Sequence, residues 1–153
     1  MSIRKYIQSD QNKILEIYAQ SKIDELKFEK IEFELLPLVK DEKRFTQLIE
    51  SDIYVYVENE VVAYCAHFGS EIRGLFVHPS SRRKGIGYKL FEFILSKILD
   101  SAFLYVAASN QPAINLYKKY GFKMIEEFLT SYNNVKVKVV KMEQLISHSQ
   151  TKL

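Results

Sequence analysis

The stretch that most restricts what this chain can fold into is "LFVHPSSRRKGIGYKLFEFILSKI", residues 75–98. An apolar run ends at Val77, His78 and Pro79 turn the chain, and three basic residues lead to two glycines one position apart. Helical period then begins at once. Ile86, Leu90, Ile94 and Ile98 fall on one line with Phe91, Leu95 and Leu99 beside it, which predicts a helix buried in the core. The first amides of such a helix have no partner within it, and Gly85 and Gly87 remove the side chains that would keep a ligand from them. With the positive field of a helix N-terminus, this predicts an anion cradle suited to a phosphate or pyrophosphate. Arg82, Arg83 and Lys84 supply charge-assisted contacts.

The rest of the chain reads as alternating strands and helices. "IRKYI" is a first strand, and "SDQNKILEIYAQSKIDEL" a helix with Ser9 or Asp10 as cap. Residues 27–51 have mixed period and predict one or two helices broken near Pro37. "IYVYVENEVVAYCAHF" is a hairpin and "EIRGLFV" the next strand, placing Glu71, Arg73, Leu75 and Val77 on one face. After the core helix, "AFLYVAA" reads as a strand covered on both faces. "SNQPAINLYKKYGF" reads as a helix capped by Ser109 or Asn110 and stopped by Gly121. "FKMIEEF" and "YNNVKVKVVKMEQL" close as strands, the lysines of the latter suiting an exposed or edge position. "ISHSQTKL" is a polar, frayed tail.

At 153 residues the chain is long enough for one domain with its own core. Its 47% apolar and 27% charged residues are globular composition. A formal charge of +3 is too near balance to indicate nucleic acid or membrane, so neither is expected as a partner. No apolar stretch spans a bilayer and no secretory leader is evident. Cys65 has no partner for an internal disulfide, and His67, His78 and His148 lack ligand spacing, so a reducing, cytoplasmic setting without metal is expected.

The basic glycine turn is neither a Walker loop nor a full dinucleotide fingerprint. It resembles the GNAT superfamily of acyl-CoA-dependent N-acetyltransferases, whose [QR]-x-x-G-x-[GA] signature is met by Arg82, Gly85 and Gly87. The downstream element of that family, an Asn opening a helix that carries a Tyr and ends in Gly-Phe, is met by Asn110, Ala113, Tyr117, Gly121 and Phe122. The resemblance implies an α/β fold. A mixed, mostly antiparallel central sheet of about seven strands is flanked by about four helices and splayed between its fourth and fifth strands. Within a single acetyltransferase domain, 1–153, it implies acceptor-side helices over 1–50, an acyl-CoA-binding core over 51–122, C-terminal strands over 123–145 and a tail over 146–153.

The resemblance also implies roles. Acetyl-CoA is the cosubstrate, with its pyrophosphate on Arg82, Arg83, Lys84, Gly85, Ile86, Gly87 and Tyr88. Its pantetheine pairs with the strand end at Phe76 and Val77 and passes Asn110, Ala113 and Tyr117. A main-chain N–H near Val77 polarises the thioester carbonyl. Tyr117 protonates the departing thiolate, and Glu71 is the candidate base, with His67 its rival. The acceptor is a primary amine of a small molecule or a protein, attacked directly in a ternary complex; an acyl-cysteine at Cys65 is the other route. Asp24, Glu25, Glu29, Glu32 and Glu34 form an acidic wall able to attract a cationic amine. The alternative is a non-catalytic acyl-CoA-binding or sensing module, and a homodimer through the final strand is a third reading.

Overall fold

In a computed structural model the described residues are 2–145, so the expected tail over 146–153 lies outside them. Seven strands form one sheet: β1 (Ser2–Lys5), β2 (Asp52–Val57), β3 (Val61–Phe68), β4 (Glu71–Val77), β5 (Phe103–Ala107), β6 (Phe122–Tyr132) and β7 (Val135–Gln144). The helices are α1 (Gln11–Ser21), α2 (Glu42–Glu50), α3 (Ile86–Lys97) and α4 (Gln111–Lys119). The strand order is β1-β2-β3-β4-β5-β7-β6. Every pairing is antiparallel except β4 with β5, which touch in parallel only at Glu71 and Phe103 and then part. This is the splayed, mixed sheet that the resemblance implies.

Strands β2 and β3 are covered on both faces, and alternate residues serve different cores. Tyr54, Tyr56, Ala63 and Cys65 pack with Leu90, Phe91 and Ile94 of α3. Val55, Tyr64 and Ala66 pack with Ile14, Ile17 and Tyr18 of α1. A third cluster joins Leu26 and Phe33 to Tyr132, Val137 and Val139.

Four expectations are corrected. Residues 27–51 hold one α-helix, α2, preceded by a 3₁₀ turn at Leu38–Lys40. The segment before it is irregular, and its backbone polar groups are met from the far side of the fold. The Leu36 N–H donates to the Tyr132 hydroxyl at 2.7 Å, and Asn133 Nδ2 donates to the Glu34 carbonyl at 3.2 Å. Asp10 does not cap α1 with its side chain; its carboxylate takes the Ile7 N–H at 2.9 Å and a two-pronged contact from Arg4. Strand β7 is not an edge, because β5 and β6 occupy its two sides, so the final strand offers no free edge for a dimer. Its Lys–Val alternation reports a buried face, Val137 and Val139, and a solvated one, Lys136 and Lys138.

Finally, Glu71 and Arg73 do not share a face with Leu75 and Val77. The register slips from His67–Ile72 to Ala66–Gly74, leaving Arg73 as an extra residue in β4. Such a bulge reverses the facing of everything before it. Ile72, Leu75 and Val77 accordingly pack on the α3 side, and Phe76 on the α1 side.

Candidate active site

The loop from β4 to α3 turns through a 3₁₀ segment, Pro79–Ser81, in which His78 Nδ1 accepts the Ser80 N–H at 3.1 Å. Arg83 and Gly85 then take left-handed backbone conformations, φ 66° and 78°. Gly85 is the N-cap of α3, where a side chain would be strained. Gly87 serves a different end, since its backbone is ordinary. A Cβ there would stand 3.8 Å from Val77 Cγ2, in a cavity of about 400 Å³ that Gly87 itself lines. The cavity runs from this helix start to the end of β4, past Leu75, Phe76 and Val77. The helix start and the end of β4 thus face one continuous space.

Backbone direction in the groove follows from the ladder. The His78 N–H donates across to the Val62 carbonyl of β3 at 2.9 Å, so alternation turns the N–H and C=O of Val77 into the opening beside β5. The Val77 carbonyl is already occupied there, by Ser21 Oγ at 3.3 Å and Arg82 Nε at 3.1 Å.

A second cavity, about 390 Å³, lies on the α1 and α2 side and reaches from Tyr18 to Tyr132. Glu25, Phe76 and Asn110 line both cavities. Asn110 caps α4, its Oδ1 accepting the Ala113 N–H at 3.4 Å. One turn further along α4, Tyr117 opens on the second cavity while its ring rests between Phe91 and Phe122, centroids 5.5 and 6.0 Å away. Burial, with a smaller contribution from Glu25, pushes its phenol up to about 12. The group is therefore a neutral donor throughout the neutral pH range.

The structure places the other sequence-derived residues unevenly. Phe76, Val77, Arg82, Arg83, Gly85, Ile86, Gly87, Tyr88 and Asn110 line the cavity between β4 and α3. Lys84 turns away toward Glu58 at 3.9 Å, and Ala113 packs against the α3 core. Arg82 reaches across the groove to Asp24 at 2.6 Å. Glu71 lines the second cavity but is held by Arg73 Nε at 3.0 Å, and Arg73 is also bound to Glu50 at 2.5 Å. His67 lies outside both cavities, its Nδ1 3.0 Å from the Gly69 carbonyl and its ring stacked on Tyr54. Of the five wall carboxylates only Asp24 and Glu25 line a cavity; Ser109 donates to Glu29, and Glu32 and Glu34 are exposed.

Sequence reasoning did not find Tyr18. Its helical line with Ile14 and Ile17 reads as core, which it is, yet it lines the second cavity with a buried hydroxyl that has no hydrogen-bond partner. Among the described residues no cluster of three His, Cys, Asp or Glu side chains is placed to hold a metal ion, and no helix is long and apolar enough to cross a membrane.

The acetyltransferase (GNAT) domain model matches residues 50–124, the span that supplies all of the described lining of the first cavity except Ser21, Asp24 and Glu25, and that contains the parting of β4 from β5. Residues 50–124 belong to the GNAT acetyltransferase family. Among curated relatives, the peptidyl-lysine N-acetyltransferase YiaC of Escherichia coli is 28% identical over 128 residues, 81% of this chain and 84% of that protein. The human cysteine-rich protein 2-binding protein is 43% identical over 60 residues, 39% of this chain; the match spans 8% of that protein's length. A GCN5-related N-acetyltransferase from Rhodopseudomonas palustris superposes with a TM-score of 0.78 at 15% identity, covering 95% of both chains. Salmonella typhimurium yncA, solved with acetyl-CoA, gives 0.61 at 22% identity, covering 97% of this chain and 95% of that one. These likenesses extend the GNAT fold to nearly the whole of this chain.

Proposed function

We propose that the chain transfers an acetyl group from acetyl-CoA to a primary amine, of a small molecule or of a protein, by direct attack within a ternary complex. The observation that carries this reading is the junction. Two cavities of similar size meet at Glu25, Phe76 and Asn110, so an acyl donor lying in one and an amine lying in the other come together beside the free edge of β4. The residues present fit the donor. The first amides of α3 are open to a pyrophosphate, Gly87 leaves room for it, and the parted strand edges suit a pantetheine amide ladder.

Bound acetyl-CoA supplies the activated acyl group. The Val77 N–H, turned into the opening, stabilises negative charge on the thioester oxygen. Tyr117 holds the proton that the leaving thiolate needs. The parting of β4 and β5 keeps the amine and the thioester within one opening, which replaces a bimolecular encounter with a positioned one. Burial of Cys65, with its thiol pushed up to about 12, argues for direct transfer over an acyl-cysteine. The reading includes one acetyltransferase domain across 1–153 and a cytoplasmic setting.

The test is thiol release from acetyl-CoA with a panel of amines: an alkyl monoamine, a diamine, an α-amino acid, a lysine peptide and a peptide with a free N-terminus. Thiol release that depends on one of these amines is expected. Tight CoA binding without thiol release from any of them favours the sensing module, and no CoA binding at all defeats the groove assignment.

A further inference from the structure

The proposed reaction leaves the base open, and Glu25 and Glu71, both lining the acceptor-side cavity, are not equivalent. Glu71 is committed to Arg73, which already spans Glu50 and the Gln47 carbonyl. That arrangement ties α2 to β4 and leaves the carboxylate at the closed end of the sheet, where β4 and β5 still touch. Glu25 sits at the open end. It is the one ionisable residue that lines both cavities. Only Oε1 is engaged, by Lys22 Nζ at 2.8 Å, so the carboxylate keeps an oxygen free.

The surroundings of Glu25 are those of a reacting group. Its charge acts on the phenols of Tyr18 from α1, Tyr64 from β3, Tyr117 from α4 and Tyr132 from β6. Other charged groups around the two cavities are Lys22 on the same turn as Glu25, Asp24 with its partner Arg82, Arg83 on the loop before α3, Lys43 on α2, Glu71 and Arg73 on β4, and Arg44 with Asp41 at the start of α2, whose charges act in opposite senses on the Tyr18 and Tyr132 phenols. The orphaned Tyr18 hydroxyl is a second, independent sign that a polar ligand belongs in this space.

We propose that Glu25 is the catalytic carboxylate that receives the acceptor ammonium at the junction and takes its first proton, while Glu71 holds the scaffold. The inference rests on the acetyltransferase reading above. The step balances as follows. The ammonium gives one proton to the free Glu25 oxygen, which passes it to solvent. The amine lone pair forms the N–C bond at the thioester carbonyl, and the C–S bond breaks with its electron pair on sulfur. Tyr117 gives that sulfur its proton, and the phenolate recovers one from the new amide nitrogen, leaving amide, CoA thiol and one released proton.

The experiment compares the pH dependence of kcat/KM for the native chain, Glu25→Gln, Glu25→Asp and Glu71→Gln, using acetyl-CoA with the best amine of the panel. At pH 7 Glu25→Gln is expected to lose about 10²–10³-fold in kcat/KM. The loss shrinks as pH rises through the amine's own pKa, where no base is needed, and Glu25→Asp recovers part of it. A loss independent of pH, or a pH-dependent loss seen in Glu71→Gln instead, overturns the assignment. Should the native chain turn over no amine, the acetyltransferase reading fails first and the inference is judged on Tyr117 alone. Its phenol, assigned by NMR against Tyr117→Phe, titrates lower in Glu25→Gln than in the native chain. An unchanged titration puts Glu25 too far from the junction and overturns it.

Discussion

The donor groove and the acceptor chamber are about the same size and share three residues, yet they are built in opposite ways. The groove is drawn mostly from one short run, Leu75 to Tyr88, with α4 adding Asn110 and Leu116. The chamber collects Tyr18 from α1, Arg44 from α2, Glu71 from β4, Tyr117 from α4 and Tyr132 from β6. A site made by local chain, with glycines at fixed offsets and a helix start, leaves a mark in the sequence. A site made where distant elements converge leaves almost none, because each contributor also has an ordinary local reason to be what it is.

Tyr117, which lines the chamber, gives the largest expected effect. Tyr117→Phe keeps the ring against Phe91 and Phe122 and removes only the proton donor, so kcat should fall about 10²–10⁴-fold while CoA affinity holds. Stopped-time thiol release against CoA titration separates the two. The sign of the pH effect is fixed by burial. A phenol raised from 10.0 to about 12 stays protonated as pH climbs, so loss of the acid does not limit the rate below about pH 11. The same shift contributes stability that is fully present below pH 10 and lost between there and about 12. An alkaline limb in kcat near pH 9 that vanishes in Tyr117→Phe would place the phenol in water instead.

The two glycines sharpen the groove side. Gly87→Val sends a branched side chain into the groove beside Val77, and should weaken CoA binding by roughly 10–100-fold, the scale of 1–3 kcal/mol of overpacking. Gly85 faces open space, so Gly85→Ala acts through its left-handed backbone instead, costing about 1 kcal/mol of stability with less effect on CoA. Calorimetric binding beside thermal unfolding distinguishes them. Equal effects of both on affinity would mean that the loop moves as a unit.

Much of the fold was legible for the same local reason. The β2–β3 hairpin, the Asn110 cap and the Gly121 stop are each written within a few residues and lie where expected, as does the α3 stripe through Ile86, Leu90, Phe91 and Ile94; the helix ends at Lys97, however, and Leu99, expected beside that stripe, is exposed. Residues 27–37 were not legible, because their conformation is held by the Tyr132 hydroxyl and Asn133 nearly a hundred positions away. The bulge at Arg73 was invisible too. A strand's period predicts facing only while its register is unbroken, and one extra residue moved Glu71 off the face of Val77. The lysines of β7 marked an exposed face, as expected, but not an edge, since alternation says nothing about which neighbours flank the strand.

Tyr18 tests the chamber side with a smaller effect. Tyr18→Phe deletes a buried hydroxyl without a partner, so the fold should be as stable or slightly more so. If the acceptor takes that hydroxyl as a hydrogen-bond partner, its KM rises about 2–10-fold with kcat little changed, the range of one neutral hydrogen bond of 0.5–1.5 kcal/mol. A steady-state kcat and KM comparison suffices. A fall in stability would instead mean that the hydroxyl meets an ordered water and serves the core.

Cys65 should give no effect at all, and that is its use. It pairs in register with Leu75, directly beside the parted strands, yet the alternation of β3 turns it toward Leu90 and Ile94 rather than toward Tyr64 and the chamber. It is fully buried, and burial pushes its thiol up to about 12, which removes the thiolate that alkylation and acyl transfer both require. Iodoacetamide at pH 8 is therefore expected to leave the native chain unlabelled and thiol release undiminished, with labelling appearing only as denaturant unfolds the core. Rapid labelling of the native chain would show that the α3 face opens at the same place where β4 and β5 part. The two faces of the sheet would then exchange access, and the separation of donor groove from acceptor chamber would be a property of one conformation rather than of the fold.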